Sequence, residues 1–391
     1  MKRLAFQFPE NLNLKVYKVR MEILSNALRI TYNDNQNVTK SFSWLRDHSF
    51  ENINNSGQKM YTSAQCSEIQ PLKSYLENSD VVIHWPRLSP HHDGIHQIEN
   101  NEPVVSKYSI KWLIQGNRTH DFKLPDYKLW KSDLKIEKMF VDYDDFMKMD
   151  FHKTVNTLYD YGLVILKKCP EETGTIEDIA LKFGPLYDSF YGKTWDVVNN
   201  ADKAINVAYT AGELGLHMDL MYFKDSPGLQ ILHCLKNSSE GGENIFSDAH
   251  QAALELKDLK IGNVSALDVL QRVNVTYEYH SPQHWMKFSR PIVQMSPTGE
   301  LQQVSYSPPF QGVLFVKDEL SEAWYKALYE FEAKLSKNMI SYKLENGEAA
   351  IFVNNRITHG RRGFKGDRHL RGAYVSMCAF LDKYRLLNWN K

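Results

Sequence analysis

The second half of the chain is broken at short intervals by turn-forming pairs, among them Pro227-Gly228, Gly241-Gly242 and Asn346-Gly347. Apolar runs between such breaks are mostly short, so strands must dominate and only a few helices can cover them. Mostly β structure with helical decoration predicts a jelly-roll, or double-stranded β-helix, core. The helical exceptions are periodic. Phe151, Val155 and Leu158 form an i, i+4, i+7 stripe. Thr175 is placed to cap a helix carrying Ile176, Ile179, Ala180 and Phe183, ended by Gly184. Trp324, Leu328, Phe331 and Leu335 predict a helix over 321–337. Between the first two, Gly162-Leu163-Val164-Ile165-Leu166 reads as a buried strand.

A chain of 391 residues exceeds one ordinary core and predicts two domains. Residues 1–127 read as a small β-rich domain. Its strands are expected at Leu14–Val19, Leu28–Tyr32, Ser41–Leu45 and Val81–Trp85, with a turn at Asn33-Asp34-Asn35. Residues 128–391 form the jelly-roll domain, after a polar linker ending near Pro125-Asp126.

Charge narrows the partners. Lys+Arg and Asp+Glu are equal at 47 each, which argues against nucleic-acid binding and against a polybasic membrane contact. Cys66, Cys169, Cys234 and Cys378 are scattered, with no C-x-x-C pair, as expected in a reducing compartment. There is no run of ~18 apolar residues to predict a membrane span. The first residues, Met1 to Phe8, lack the apolar stretch of a secretory signal. A cytoplasmic protein is expected.

The chemistry centres on His217-Met218-Asp219 and His359. In extended chain, residues i and i+2 point to one face, so an imidazole and a carboxylate can converge. His359 follows the strand-like run Ala350–Asn354 and can bring a third donor. Two histidines and one carboxylate make the facial triad of non-haem iron(II), which leaves three positions open. H-x-D alone is common by chance among 14 histidines; what strengthens it is the arginine beyond. Arg368 stands nine residues past His359, and a period-2 strand puts Arg368, Leu370, Gly372 and Tyr374 on one face. A guanidinium there suits bidentate pairing with a buried carboxylate. There is no Ser-His-Asp or Cys-His pattern to compete with this reading.

Several segments taken together resemble the γ-butyrobetaine hydroxylase and trimethyllysine hydroxylase family of 2-oxoglutarate oxygenases. They are Phe190–Trp195, Asn206–Thr210, His217–Asp219, Gly228–Lys236 and Asn354–Arg362, with weaker similarity at Trp44–Asp47 and Ile83–Pro86. The resemblance implies iron(II) on His217, Asp219 and His359, and 2-oxoglutarate on Arg368 with Asn244 and Leu232. It implies O2 as second co-substrate, with ascorbate as a stimulant. It also implies a cage for a quaternary ammonium substrate built from Tyr191, Trp195, Tyr209 and Tyr374, with Asn206 beside them. Such a cation has no N–H to donate, so facing π-clouds must hold it, at ~0.5–2 kcal/mol per ring. A homodimer is the expected assembly.

Three positions depart from the family. The zinc site that relatives carry after Trp-Leu-Arg-Asp is expected to be lost, because His48-Ser49-Phe50 follows with no cysteine, and His48 with His91 or His92 is a poor substitute. Asn244 stands where relatives have a hydroxyl residue, and its amide can still donate. Ser307-Pro308-Pro309 replaces an Asn-rich segment that holds the substrate's acid end, so a different head group is expected. The reading is hydroxylation of a small trimethylammonium compound, γ-butyrobetaine first, with trimethyllysine or a trimethylammonium phosphonate as alternatives. A catalytically silent betaine-binding protein is the alternative of another class.

Overall fold

The computed structural model describes residues 16–88, 98–115, 124–198 and 211–388. The chain divides into two compact units, Met1–Leu124 and Pro125–Lys391.

In the first unit, Arg20–Ile23, Ala27–Tyr32 and Gln36–Ser41 form one antiparallel sheet, and Lys73–Glu77, Asp80–Leu88 and Ile98–Ser109 form another. The turn at Asn33-Asp34-Asn35 is as expected. All three residues have positive φ, which short polar side chains tolerate best. Two expectations fail. Residues 16–19 are not a strand; pairing begins at Arg20. Phe42–Asp47 is a helix, not a strand: the Ser41 hydroxyl accepts from the Trp44 N–H at 3.1 Å and caps it. Phe42 and Leu45 are buried, a spacing of three that suits a helix face. His48 stacks on Trp44 with centroids 4.3 Å apart, and its Nδ1 lies 2.8 Å from the Trp44 carbonyl. His91 and His92 lie outside the described residues.

The second unit holds two facing sheets. Ten strands position the site: β1 Phe140–Asp142, β2 Leu163–Lys167, β3 Thr194–Val198, β4 Leu214–His217, β5 Leu229–Asn237, β6 Asn244–Asp248, β7 Ile340–Tyr342, β8 Glu348–Val353, β9 Ile357–Arg361 and β10 Arg368–Val375. The larger sheet has the order β1-β2-β8-β5-β10-β3, and the smaller β4-β9-β6-β7. Every pair is antiparallel except β1 with β2. Leu163, Ile165, Leu232, Ala350, Phe352 and Leu370 of the larger sheet pack with Phe246, Ile340 and Ile357 of the smaller. This is the expected jelly roll. β8 is buried at every residue, which is why Ala349–Val353 reads as a continuous apolar run and not as alternation; β9 is equally buried but carries Thr358, His359 and Arg361.

Helices cover the sheets. Phe151–Tyr161 ends at Gly162, whose φ is +74°; a Cβ there would also meet Ile357 at 2.9 Å, so glycine is required twice over. The helix Thr175–Phe183 starts one residue from expectation. Gly174 stands at its N-cap, and the Thr175 hydroxyl donates instead to the Pro170 carbonyl. The long helix is Asp318–Lys337, with Trp324, Phe331 and Leu335 buried and Leu328 partly so. No helix among the described residues is long and apolar enough to cross a membrane.

A buried ion pair locks the β8–β9 turn. Arg356 forks onto the Asp248 carboxylate, with Nη2 to Oδ2 at 2.8 Å. Its remaining N–H groups donate to the carbonyls of Tyr159, Asp160 and Lys128. A buried charge is tolerable only when so fully matched. The pair ties the turn to the end of one helix and to the cap of the helix Ala249–Leu254, three residues before His359.

Candidate metal centre and its two chambers

His217 is the last residue of β4 and His359 the middle of β9, and the antiparallel register sets them directly opposite each other. Asp219 lies two residues past the strand end, in the turn. The three side chains each bring one ligand atom, all within 4.8 Å of one another. His217 Nε2 is 3.3 Å and His359 Nε2 is 4.0 Å from Asp219 Oδ1. His217 Nδ1 lies 2.9 Å from the Gly215 carbonyl, which makes Nδ1 the protonated nitrogen and leaves the Nε2 lone pair for a metal. Among the described residues this is the one His/Cys/Asp/Glu cluster of that kind.

The protonation states suit a divalent metal. Burial, with His217 beside it, pushes His359 down to about 3, so its imidazole is neutral at pH 7. Burial alone would raise the Asp219 carboxyl. The imidazoles of His217 and His359 beside it outweigh that and hold the group well below the usual carboxylate range. Neutral imidazole with carboxylate is the form that metal binding requires.

Two cavities meet at this cluster. Both are lined by Trp195, Val197, Leu214, His217 and Asp219. The first continues along Arg368, Arg361, Asn244, Leu232, Gln230 and His359. All three residues expected to hold the co-substrate, Arg368, Asn244 and Leu232, therefore share one chamber. Arg368 is 6% exposed, and Nη2 donates to Asn244 Oδ1 at 3.3 Å. Its Nε has no partner and no carboxylate pairs with it among the described residues. Burial and the neighbouring Arg361 bring Arg368 down to about 10, still charged at pH 7. A buried, under-satisfied guanidinium is costly unless an anion completes it. Arg361 lines the same chamber from β9, two residues past His359. Arg371, by contrast, points to the other side of β10 and pairs with Asp196 at 2.9 Å.

The second cavity is aromatic. Tyr191, Trp195 and Tyr374 line it, and Tyr222, Phe310, Pro309 and Leu220 complete its described wall. Asn206 and Tyr209 lie outside the described residues. The rings do not simply face one another. Trp195 stacks on Tyr374 with centroids 4.2 Å apart, while Tyr191 stands 6.5 Å from Trp195. Register explains the stack: Trp195 is opposite Gly372, and a Cβ on that glycine would come within 2.3 Å of the indole. Only glycine lets the indole lie flat on the sheet beside Tyr374. Tyr222 and Phe310 were not foreseen. They meet edge to face at 5.0 Å, brought together from separate loops. The nearest signal was the Ser307-Pro308-Pro309 segment, which turns as a short 3₁₀ helix, Pro308–Phe310, and delivers Pro309 and Phe310 to the wall.

Residues 130–374 match the family described as taurine catabolism dioxygenase TauD, TfdA family. Dioxygenase str8 of Strobilurus tenacellus is 34% identical over 272 residues, 65% of this chain and 63% of that protein, so the match spans under two thirds of that relative. Gamma-butyrobetaine dioxygenase of Homo sapiens is 28% identical over 328 residues, 80% of each chain. Mitochondrial trimethyllysine dioxygenase of Rattus norvegicus is 25% identical over 365 residues, 88% of this chain and 82% of that protein.

Proposed function

Because the chain belongs to the TauD, TfdA family and is an iron(II)- and 2-oxoglutarate-dependent dioxygenase, we propose that it hydroxylates a small trimethylammonium compound, with γ-butyrobetaine the leading candidate. The observation that carries this reading is the aromatic chamber opening on His217 and Asp219, which also line the arginine chamber where His359 joins them. The names of two relatives support it: one is called for γ-butyrobetaine and one for trimethyllysine. Trimethyllysine and a trimethylammonium phosphonate are the alternatives for the same machinery.

In this reading His217 Nε2, Asp219 Oδ1 and His359 Nε2 hold the iron. With metal and co-substrate bound, 2-oxoglutarate and O2 become succinate and CO2 as one substrate C–H becomes C–OH. The chain's own part is placement. Arg368 pairs with the distal carboxylate of 2-oxoglutarate and Asn244 supports that guanidinium, so the keto acid end reaches the triad. Leu232 and Leu370 wall the chamber with apolar surface and limit water. Across the triad, Tyr191, Trp195 and Tyr374 offer ring surface to a cation, and Tyr222 with Phe310 confines the rest of the substrate.

The test is substrate-dependent succinate release with iron(II) and O2 across γ-butyrobetaine, trimethyllysine, trimethylaminoethylphosphonate and taurine. At least one trimethylammonium compound should raise the rate ~10-fold or more above uncoupled turnover, an effect of about 1.4 kcal/mol in the barrier. Release driven by taurine alone would overturn the proposal.

A further inference from the structure

A carboxylate offers a metal two oxygens, and which of them it presents decides how many positions stay open for other ligands. At Asp219 the choice is made by the surrounding protein. Oδ2 accepts two hydrogen bonds, from the Tyr374 hydroxyl at 2.7 Å and from the Gln230 side-chain amide at 2.7 Å. Those donors stand directly opposite each other on β10 and β5, so a single register sets both. Oδ1 is left on the side of the two imidazoles. The backbone is held as well. Leu220, the next residue, has a φ of +57°, a left-handed conformation that a branched side chain avoids. Asn354, fully buried, closes a two-point contact across that bend. Its Oδ1 accepts from the Asp219 N–H at 2.9 Å, and its Nδ2 donates to the Asp219 carbonyl at 2.9 Å.

We propose that Tyr374, Gln230 and Asn354 are positioning residues that clamp Asp219, so that it meets the metal through Oδ1 alone. The clamp leaves Oδ2 no free lone pair aimed at the metal, which keeps the carboxylate monodentate and three positions open. Tyr374 thereby has two jobs separable by one atom. Its ring belongs to the aromatic chamber and its hydroxyl to the metal centre. This inference rests on reading His217, Asp219 and His359 as the iron ligands.

The experiment uses the full chain under anaerobic conditions. Iron(II) affinity, the charge-transfer absorption of the iron(II)–2-oxoglutarate complex and the metal-free thermal midpoint are measured for Tyr374→Phe, Gln230→Met and the double variant. Both substitutions keep most of the bulk and remove the group that donates to Oδ2. Each should weaken iron(II) binding, and the double variant should lose ~10- to 100-fold. The absorption band should shift, which the loss of two merely structural hydrogen bonds would not produce; the metal-free midpoint records separately the cost of leaving Oδ2 without its donors. An iron(II) affinity within about twofold of the parent in the double variant, with an unshifted band, would overturn the clamp. His359→Ala separates the two levels of the claim: it should bind iron(II) more weakly than the double variant. Equal binding by the parent and His359→Ala would overturn the ligand assignment beneath it.

Discussion

Replacing Asp219 or His359 by Ala is expected to lower turnover by ~1,000-fold or more, about 4 kcal/mol of lost transition-state stabilisation. Each would supply one of only three protein ligands, and a two-ligand site binds the metal poorly and cannot orient what else it holds. His359 is buried and Asp219 partly so, both lining the arginine chamber, and neither is one of the apolar residues of the core. The fold should therefore survive. Asp219→Ala removes the acceptor for Tyr374 and Gln230 and leaves those donors unpaired, a cost of about 1–3 kcal/mol. His359→Ala is the cleaner variant. Circular dichroism should be unchanged while succinate release falls to background with iron(II) supplied. Full activity in His359→Ala would remove the triad from the account.

Arg368→Lys carries the second large effect. Lysine keeps the charge but not the fork, and its shorter, compact head cannot pair with both carboxylate oxygens. The apparent KM for 2-oxoglutarate should rise about 10- to 100-fold, matching the ~1.5–3 kcal/mol of a charge-assisted hydrogen bond. The KM for the ammonium substrate should move little, because Arg368 lines the first chamber and not the aromatic one. An unchanged KM for 2-oxoglutarate would transfer the role to Arg361, the other guanidinium in that chamber. Arg371 is no substitute, since Asp196 already engages it.

What could be read from the sequence was what strand geometry makes local. β10 alternates as period 2 demands: Arg368, Leu370 and Tyr374 line the cavities, Gly372 underlies Trp195, and His369 and Arg371 bind Asp196 on the other side. His217 and Asp219 are only two residues apart, so they stay close even though Asp219 lies in the turn just past the strand end and not in extended chain. The rest depends on pairing between distant segments. Nothing local places Gln230 opposite Tyr374, or Tyr222 against Phe310; only sheet register and loop packing do so. The same limit hid the stacking of Trp195 on Tyr374, since it depends on a glycine in a neighbouring strand. The misread helix at Phe42–Asp47 was an error of another kind. Phe42, Trp44 and the following residues fit alternation over so short a run, and the serine cap was the deciding signal.

The most direct test of the substrate reading compares a trimethylammonium substrate with its neutral tert-butyl isostere. Shape and apolar area are nearly the same in the two, so only charge distinguishes them. Rings acting through cation–π attraction should favour the charged compound by about 1–3 kcal/mol, roughly 5- to 150-fold in dissociation constant. Trp195→Leu should shrink that preference, because it removes a ring and leaves an apolar side chain in its place. Calorimetric titration of the iron(II)- and 2-oxoglutarate-loaded protein reads it directly. A clear preference for the cation, reduced in Trp195→Leu, is the result this account predicts. Equal binding of the two compounds, or a preference untouched by Trp195→Leu, would contradict it.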